Sequence, residues 1–164
     1  EREAGHLVRS LRTIVDRMRK TLGRIRRRQP QVVREYQAKL KERVATLLEG
    51  SGAALDEATL AREVALLADR CDITEEITRL AAHFDECDGY LGRDGEVGRT
   101  LEFLGQEMLR EANTIGSKSA DVDLARDVIA LKSDIDRLKE RVHVLEKIVT
   151  DNDRQLADEI RKLA

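Results

Sequence analysis

Apolar residues recur three and four positions apart along most of this chain, which is the period of an amphipathic helix. The first series is interrupted at Gln29-Pro30, because a proline disfavours helical geometry in the residue before it. We therefore predict one helix over residues 3–28, a second over 31–49 and an antiparallel hairpin between them. Gly50-Ser51-Gly52 suits the end of the second helix.

The middle of the chain predicts two further helices. Asp56 is a suitable N-cap for a third helix that reaches about Tyr90, and Asp94-Gly95 with its neighbouring glycines marks the turn after it. The fourth helix is expected over residues 97–115. A loop over residues 116–119 should follow it.

A heptad pattern fills the last predicted helix, which runs from about residue 120 to the end. Its seam comprises Val128, Leu131, Ile135, Leu138, Val142, Leu145, Val149, Asn152 and Leu156. A polar residue at such a position, here Asn152, is typical of a device that fixes register or oligomeric state. The seam packs either against another helix of this chain or against a second copy, and its length beyond residue 146 favours a second copy or a grafted coil.

The composition indicates an all-α fold. Aromatic residues make up 2% of the chain, charged residues 38%, and there is one proline. We predict an elongated helical hairpin or bundle with a long C-terminal heptad-patterned helix. Its parts are a basic hairpin (1–50), a core with the acidic and histidine motifs (51–118) and a coiled-coil-like helix (119–164). No apolar run approaches the roughly 18 residues of a transmembrane segment, so no membrane association is expected.

The net charge of −2 conceals a marked asymmetry. Residues 1–43 carry 14 Lys and Arg against 5 Asp and Glu, a local charge of +9. This basic segment either binds a polyanion such as RNA or meets the acidic remainder of this chain or of a neighbouring subunit. Its densest part comprises Arg17, Arg19, Lys20, Arg24, Arg26, Arg27 and Arg28.

The two cysteines indicate a reducing compartment. On the single predicted third helix, Cys71 and Cys87 would lie about 24 Å apart, too far for a disulfide. We therefore expect reduced thiols in a cytoplasmic protein.

The fourth predicted helix carries the first candidate for chemistry. Glu107, Glu111 and Thr114 fall on one face, beside an apolar stripe that includes Met108. Two carboxylates one turn apart repel each other mildly, a cost that either serves function or is offset by nearby Arg110. Such a pair can share a divalent cation or support acid–base chemistry.

A second candidate lies upstream, on the segment 72–83. Glu76, Arg79 and His83 fall on one face there, and Ile73, Ile77, Leu80 and Phe84 form the neighbouring apolar stripe. If the apolar stripes of the two segments pack together, Glu76 and His83 approach Glu107 and Glu111. These four side chains could hold Mg²⁺ or Mn²⁺, or Zn²⁺ if the histidine dominates. Taken singly, each charged face is also what a solvated or ion-paired surface looks like.

The two segments together resemble the YicC-type bacterial endoribonuclease family, over roughly residues 1–146. The matching pieces are the run Asp-Ile-x-Glu-Glu-x-x-Arg-Leu-x-x-His at 72–83, Gly98 to Phe103, Gln106-Glu107, Arg110-Glu111, Asn113-Thr114-Ile115, Ser117-Lys118, and upstream Glu63 and Asp69. The resemblance implies metal-dependent cleavage of RNA and a ring-like homo-oligomer.

Under this resemblance the site residues take named roles. Glu76, His83, Glu107 and Glu111 would hold a divalent metal, Mn²⁺ or Mg²⁺, or tune a water molecule. Arg79, Arg110 and Lys118 would contact phosphate oxygens, and Asn113 would bond the ribose 2′-hydroxyl or orient a carboxylate. Metal-independent cleavage with His83 as the base is the alternative mechanism. With so few aromatic side chains for base stacking, weak sequence selectivity is expected.

Two departures from the family pattern affect these expectations. The family has an additional N-terminal domain, and this chain starts at Glu1, so we expect a fragment or an engineered piece. Members end in an Arg-Glu-Gln-Val-Gln-Asn-like stretch, where this chain has residues 139–146 and an extension to Ala164. The competing hypotheses are a non-catalytic helical scaffold and an RNA-binding adaptor that passes substrate to another nuclease.

Overall fold

A computed structural model of the chain describes residues 2–50, 54, 56–91 and 97–163, with side chains described from 5 to 147 within those ranges. The described residues form five helices and no strand, which confirms the all-α prediction. The helices are α1 (Arg2–Leu48), α2 (Glu57–Arg70), α3 (Thr74–Leu91), α4 (Gly98–Lys118) and α5 (Val122–Leu163). None of them is long and apolar enough to cross a membrane.

The predicted hairpin at Gln29-Pro30 is wrong, because α1 continues through Pro30 for 47 residues, about 70 Å. A proline inside a helix leaves the carbonyl four residues earlier without its usual donor. Here that carbonyl belongs to Arg26, and both residues are exposed, so water can supply the missing bond. The sequence rule failed because the cost of an internal proline depends on solvent access.

The single helix predicted from Asp56 to Tyr90 is also wrong, since the chain breaks it at residues 71–73. The Asp72 carboxylate accepts hydrogen bonds from the backbone N–H of Thr74 at 2.9 Å and from its hydroxyl at 2.6 Å. These bonds satisfy the start of α3 and compete with helix continuation. The predicted cap at Asp56 is confirmed, because its side chain accepts from the Ala58 N–H at 3.1 Å.

The N-terminal half of α1 forms an up-down-up-down four-helix bundle with α3, α4 and α5. Contacts such as Arg17 with Asp134 and Arg24 with Asp127 show that α1 and α5 run antiparallel. The C-terminal half of α1 packs against α2. One apolar core joins the four bundle helices; its most deeply buried large side chains include Leu11, Met18, Ile25, Ile73, Leu80, Phe84, Leu101, Met108, Ile115, Leu131 and Ile135.

The heptad seam from Val128 to Leu145 is buried in this core, so its partners are helices of the same chain. The positions Val149, Asn152 and Leu156 lie outside the residues whose side chains are described, as do Gly92 and Asp94-Gly95 of the predicted turn. A second copy as partner for the end of the seam therefore stays a prediction.

Helices α4 and α5 approach each other closely because α4 is lined with small residues on that side. A Cβ placed on Gly98 would lie 2.0 Å from Cγ of Glu146, and one on Gly105 would lie 2.8 Å from Cγ of Lys139. Ala112, seven residues further on, is fully buried. This close contact fixes the rotation of α4, and with it the side of α4 that faces α3.

Candidate active site

The candidate site lies between α3 and α4, where two carboxylates are buried. Glu76 on α3 is 3% exposed and Glu111 on α4 is 6% exposed. The apolar stripes predicted beside them, including Ile77, Leu80 and Met108, are buried in the shared core. The two segments therefore pack together, which is the condition on which the predicted site depends.

Lys118 joins the end of α4 to the start of α3. Its Nζ donates to Oε1 of Glu76 at 2.9 Å and to the backbone carbonyl of Asp72 at 2.9 Å. Lys118 lies in the last turn of α4, not in the loop predicted at residues 116–119, which begins only at Ser119. The helix end thus places this ammonium directly against a buried carboxylate.

Arg79 connects the two buried carboxylates to each other. Its Nε donates to Oε1 of Glu111 at 2.9 Å, and one terminal nitrogen lies 3.6 Å from Oε1 of Glu76. The other terminal nitrogen donates to Glu75 at 3.1 Å. The hydrogen bond with Glu111 raises the pKa of Arg79. One guanidinium therefore spans the cleft and draws Glu76 and Glu111 together.

Glu76 keeps one oxygen without a partner. Its Oε2 is buried and has no hydrogen-bond partner among the described residues. Burial raises the pKa of the Glu76 carboxyl. The hydrogen bond and charge of Lys118 lower it by more, so that the pKa lies below its ordinary value. Glu76 therefore presents a charged oxygen with unused acceptor capacity, an exception that calls for an explanation because buried polar atoms are almost always paired.

The register of α3 and α4 indicates positions for His83 and Glu107 one turn further along this interface. The contacts of Lys118 with Glu76 and of Arg79 with Glu111 set an antiparallel register, and this register places His83 across from Glu107. Nδ1 of His83 is buried without a partner among the described residues. Contact of this imidazole with a substrate would therefore have to use Nε2.

The predicted ligand-binding residues divide into two groups. Arg79 and Lys118 hold the carboxylates of Glu111 and Glu76, whereas Arg110 and Asn113 are exposed on the outside of α4. Arg110 reaches only Glu107, at 3.8 Å. The sequence motif contained all of these residues, but only the register of α3 and α4 shows which cations neutralise the site.

The predicted four-ligand metal set is not assembled in the described part of one chain. No group of three or more His, Cys, Asp or Glu side chains there is arranged to hold a metal ion. Glu76 and Glu111 could nevertheless form a site with fewer protein ligands, because Mg²⁺ commonly takes one or two carboxylates and keeps several waters. The unpaired Oε2 of Glu76 is a suitable oxygen donor for such an ion.

Part of the basic segment of α1 is engaged in ion pairs within the chain. Arg17 binds Asp134, Arg19 binds Asp85 and Asp88, Arg24 binds Asp127, and Arg28 binds Asp121 and Glu35, with contacts of 2.5–2.8 Å. For these four arginines, the hypothesis that the basic segment meets the acidic remainder of its own chain holds. Lys20, Arg26 and Arg27 have no ion pair among the described residues.

A comparison with known protein families covers the region that contains these motifs. A family model described as "Endoribonuclease YicC-like, C-terminal" matches residues 25–146. The chain belongs to the YicC-like family. The match covers the second half of α1, helices α2, α3 and α4 and the first part of α5, and it includes every residue of the α3/α4 cleft.

Two curated relatives match the chain over 92 residues each. The chain is 42% identical to the probable endoribonuclease YicC of Clostridioides difficile strain 630 and 40% identical to that of Haemophilus influenzae Rd. Each match covers 56% of this chain, and 31% and 32% of the respective relatives. The matched part of the chain thus spans about a third of the length of the curated relatives.

Proposed function

We propose that this chain is part of an endoribonuclease and that the α3/α4 cleft is where it cleaves RNA. The observation that carries the proposal is the buried Glu76 carboxylate with its unpaired Oε2, held beside Glu111 by Arg79 and Lys118. A buried carboxylate oxygen without a hydrogen-bond partner is costly, and such an exception is a candidate for function. The names of the two relatives support the reaction class.

The residues of the cleft have different proposed roles. Arg79 and Lys118 hold the two carboxylates at a fixed separation, so that the side chains need no reorganisation when a substrate arrives. A divalent cation bound at Glu76 and Glu111 would supply a water of lowered pKa and positive charge for the phosphate. In the metal-independent alternative, Nε2 of His83 accepts the proton of the ribose 2′-hydroxyl. Homo-oligomerisation and a cytoplasmic location stay predictions.

The test is an assay for cleavage of single-stranded RNA in Mn²⁺ or Mg²⁺, with a parallel reaction in EDTA. We expect the double variant Glu107→Gln with Glu111→Gln to abolish cleavage while its circular dichroism spectrum is retained. The matched control is Asp136→Asn with Glu140→Gln, an exposed acidic pair at the same spacing on α5. Binding of Mn²⁺, followed by loss of its free-ion EPR signal, should weaken in the α4 double variant and stay unchanged in the control.

The outcomes separate the hypotheses. Equal cleavage by the two double variants would remove the catalytic assignment from α4. RNA binding without metal-stimulated cleavage, in the full-length protein as well, would support the adaptor instead. Absence of both RNA binding and RNA cleavage would support the hypothesis of a non-catalytic helical scaffold.

A further inference from the structure

The outer side of α4 carries a row of exposed residues that the cleft does not use. They are spaced four, three, four, three and four positions apart, which places them along one side of the helix. We call this row the α4 stripe; it comprises Arg99, Phe103, Gln106, Arg110, Asn113 and Ser117. The stripe contains no carboxylate, although Glu102 and Glu107 border it on its two sides.

Phe103 is the most unusual member of the stripe because its side chain faces solvent. It is 59% exposed, whereas Phe84, the other phenylalanine of the chain, is fully buried in the core. Burying such a side chain stabilises a protein by about 1.5–3 kcal/mol, a gain that Phe103 largely forgoes. A lone exposed apolar residue is ordinary, so the inference depends on what surrounds it.

The two arginines of the stripe are less engaged than the ion-paired arginines of α1. Arg99 has no ion pair among the described residues, and Arg110 has only the 3.8 Å contact with Glu107 and is 74% exposed in its side chain. The paired arginines of α1, such as Arg17 and Arg28, would have to release a carboxylate at 2.6–2.7 Å before binding a phosphate. Phosphate groups are therefore expected to prefer α4 to the paired part of α1.

We propose that the α4 stripe binds a single-stranded RNA segment, with one base stacked on the ring of Phe103 and phosphates held by Arg99 and Arg110. The inference rests on the proposed function, because it concerns how that same site receives its substrate. Exposed aromatic rings beside cations are the usual platform for unpaired bases, and stacking is sequence-tolerant. A duplex does not fit this chemistry, since its bases are already stacked and paired inside the helix.

The position of the stripe places the bound strand beside the cleft. Glu107 follows Phe103 by one helical turn on the side of α3, and Glu111 follows by two. Arg99 and Arg110 lie about 16 Å apart along the axis, so they would contact different phosphates. This arrangement aligns a strand along α4 with its backbone next to the buried carboxylates. Phe103 also supplies the stacking surface that the low aromatic content had argued against.

The experiment exploits the absence of tryptophan from the chain. Phe103→Trp introduces the only tryptophan at the stripe, and Ile129→Trp introduces the only tryptophan at a similarly exposed position on α5, where Ile129 is 68% exposed. We titrate both with a uridine-rich single-stranded oligoribonucleotide in EDTA. The proposal expects strong quenching by base stacking at position 103, little at position 129, and none at position 103 with a duplex of the same length.

Affinity measurements provide the second arm. Phe103→Ala should weaken binding of the single strand roughly 5- to 150-fold, the range measured for loss of one stacked base. Ile129→Ala should leave it unchanged. Arg99→Gln and Arg110→Gln should each reduce the slope of log affinity against log salt by about 0.7, whereas Arg126→Gln, equally exposed on α5, should not.

Three results would overturn the inference. Equal affinities of Phe103→Ala and Ile129→Ala, with cleavage by the parent intact, would remove the stripe from RNA binding while leaving the proposed function standing. Failure of the parent to bind any single strand would overturn both. A change of mass in light scattering for Phe103→Ala, with RNA affinity unchanged, would show that the stripe contacts a second copy instead.

Discussion

Two buried carboxylates, Asp134 in the α1/α5 interface and Glu76 in the α3/α4 interface, have very different surroundings. Asp134 is 5% exposed and receives Arg17 on both oxygens, at 2.7 Å each. Glu76 is equally buried, but Lys118 and Arg79 both approach its Oε1 and leave Oε2 without a partner. The first carboxylate is fully satisfied and the second is not.

The difference separates structural charge from candidate chemical charge. The bidentate pair with Arg17 gives each oxygen of Asp134 a donor and ties α5 to α1. An unsatisfied oxygen contributes nothing to stability and costs desolvation, so its presence has to be explained otherwise. By this criterion the charges in the α1/α5 interface are structural, and the α3/α4 cleft is the candidate site of reaction.

The largest expected effect comes from exchanging each carboxylate for its amide. Glu76→Gln should lower the rate of RNA cleavage by about 100-fold or more, because the amide keeps the shape but removes the charge that the proposed site uses. Asp134→Asn should leave the rate within about twofold for molecules that remain folded. Cleavage assays normalised to the folded fraction from circular dichroism make the comparison.

Equal losses of rate in both variants would contradict the distinction. They would show that cleavage depends on the general integrity of the bundle. A loss in Asp134→Asn alone would place reactivity at the α1/α5 interface.

The stability of the α1/α5 interface provides the next test. Arg17→Ala leaves Asp134 buried with only the 3.7 Å contact from Arg137. We expect the free energy of unfolding to fall by about 1–3 kcal/mol, less than for a fully buried pair because Arg17 is half-exposed. Urea denaturation followed by circular dichroism measures the change.

The control for this test is Arg126→Ala on the outside of α5. Within the described part of the chain, the ion pair of Arg126 is with Asp123 on its own helix, at 3.3 Å, and both side chains are exposed. Its removal should change the free energy of unfolding by less than about 0.5 kcal/mol. A comparable loss in Arg17→Ala and Arg126→Ala would mean that the pair with Asp134 is energetically unimportant.

Sequence periodicity was sufficient for the buried faces, because burial follows helical spacing. The predicted stripes containing Ile77, Phe84 and Met108 are all in the core, and the seam of α5 is buried over its described part. Pro30 and the break before Thr74 were mispredicted, since both depend on local solvent access and on competing side-chain hydrogen bonds. These features are decided by solvent access and by local hydrogen bonds, which no apolar pattern records.

The residues of the site could be predicted from the sequence, but the pairing of its cations with its carboxylates could not. The motif placed Glu76, Arg79, Glu111 and Lys118 close together, yet it assigned the two cations to phosphate. The structure shows them bound to the two carboxylates, which follows from the antiparallel register of α3 and α4. Likewise, the motif contained Phe103, but only the packing of α4 shows that its ring faces solvent.

The smallest expected effect concerns pH and the single lysine that neutralises Glu76. In the wild-type chain burial raises the pKa of the Glu76 carboxyl, and Lys118 lowers it by more, so the folded-state pKa lies below its ordinary value of 4.5. A carboxyl of this kind stabilises the fold above its ordinary pKa and loses that contribution as the pH falls through its lower folded-state value. Lys118→Met removes the largest lowering influence, whereas burial still raises the pKa and the charge of Arg79 still lowers it.

The wild-type chain should therefore exceed Lys118→Met in free energy of unfolding by about 1 kcal/mol at pH 7, since Lys118 is partly exposed. This advantage should shrink as the pH falls below about 4.5, because Glu76 becomes protonated in both proteins. Urea denaturation at pH 7, 5 and 3.5 measures it, with Lys41→Met as the control, since Lys41 binds Glu57 on the exposed surface. An advantage of the same size at all three pH values would show that Lys118 stabilises the protein through its bond to the Asp72 carbonyl and not through Glu76. In that case Glu76 would carry its charge without help from the lysine, and the contrast with Asp134 would become sharper.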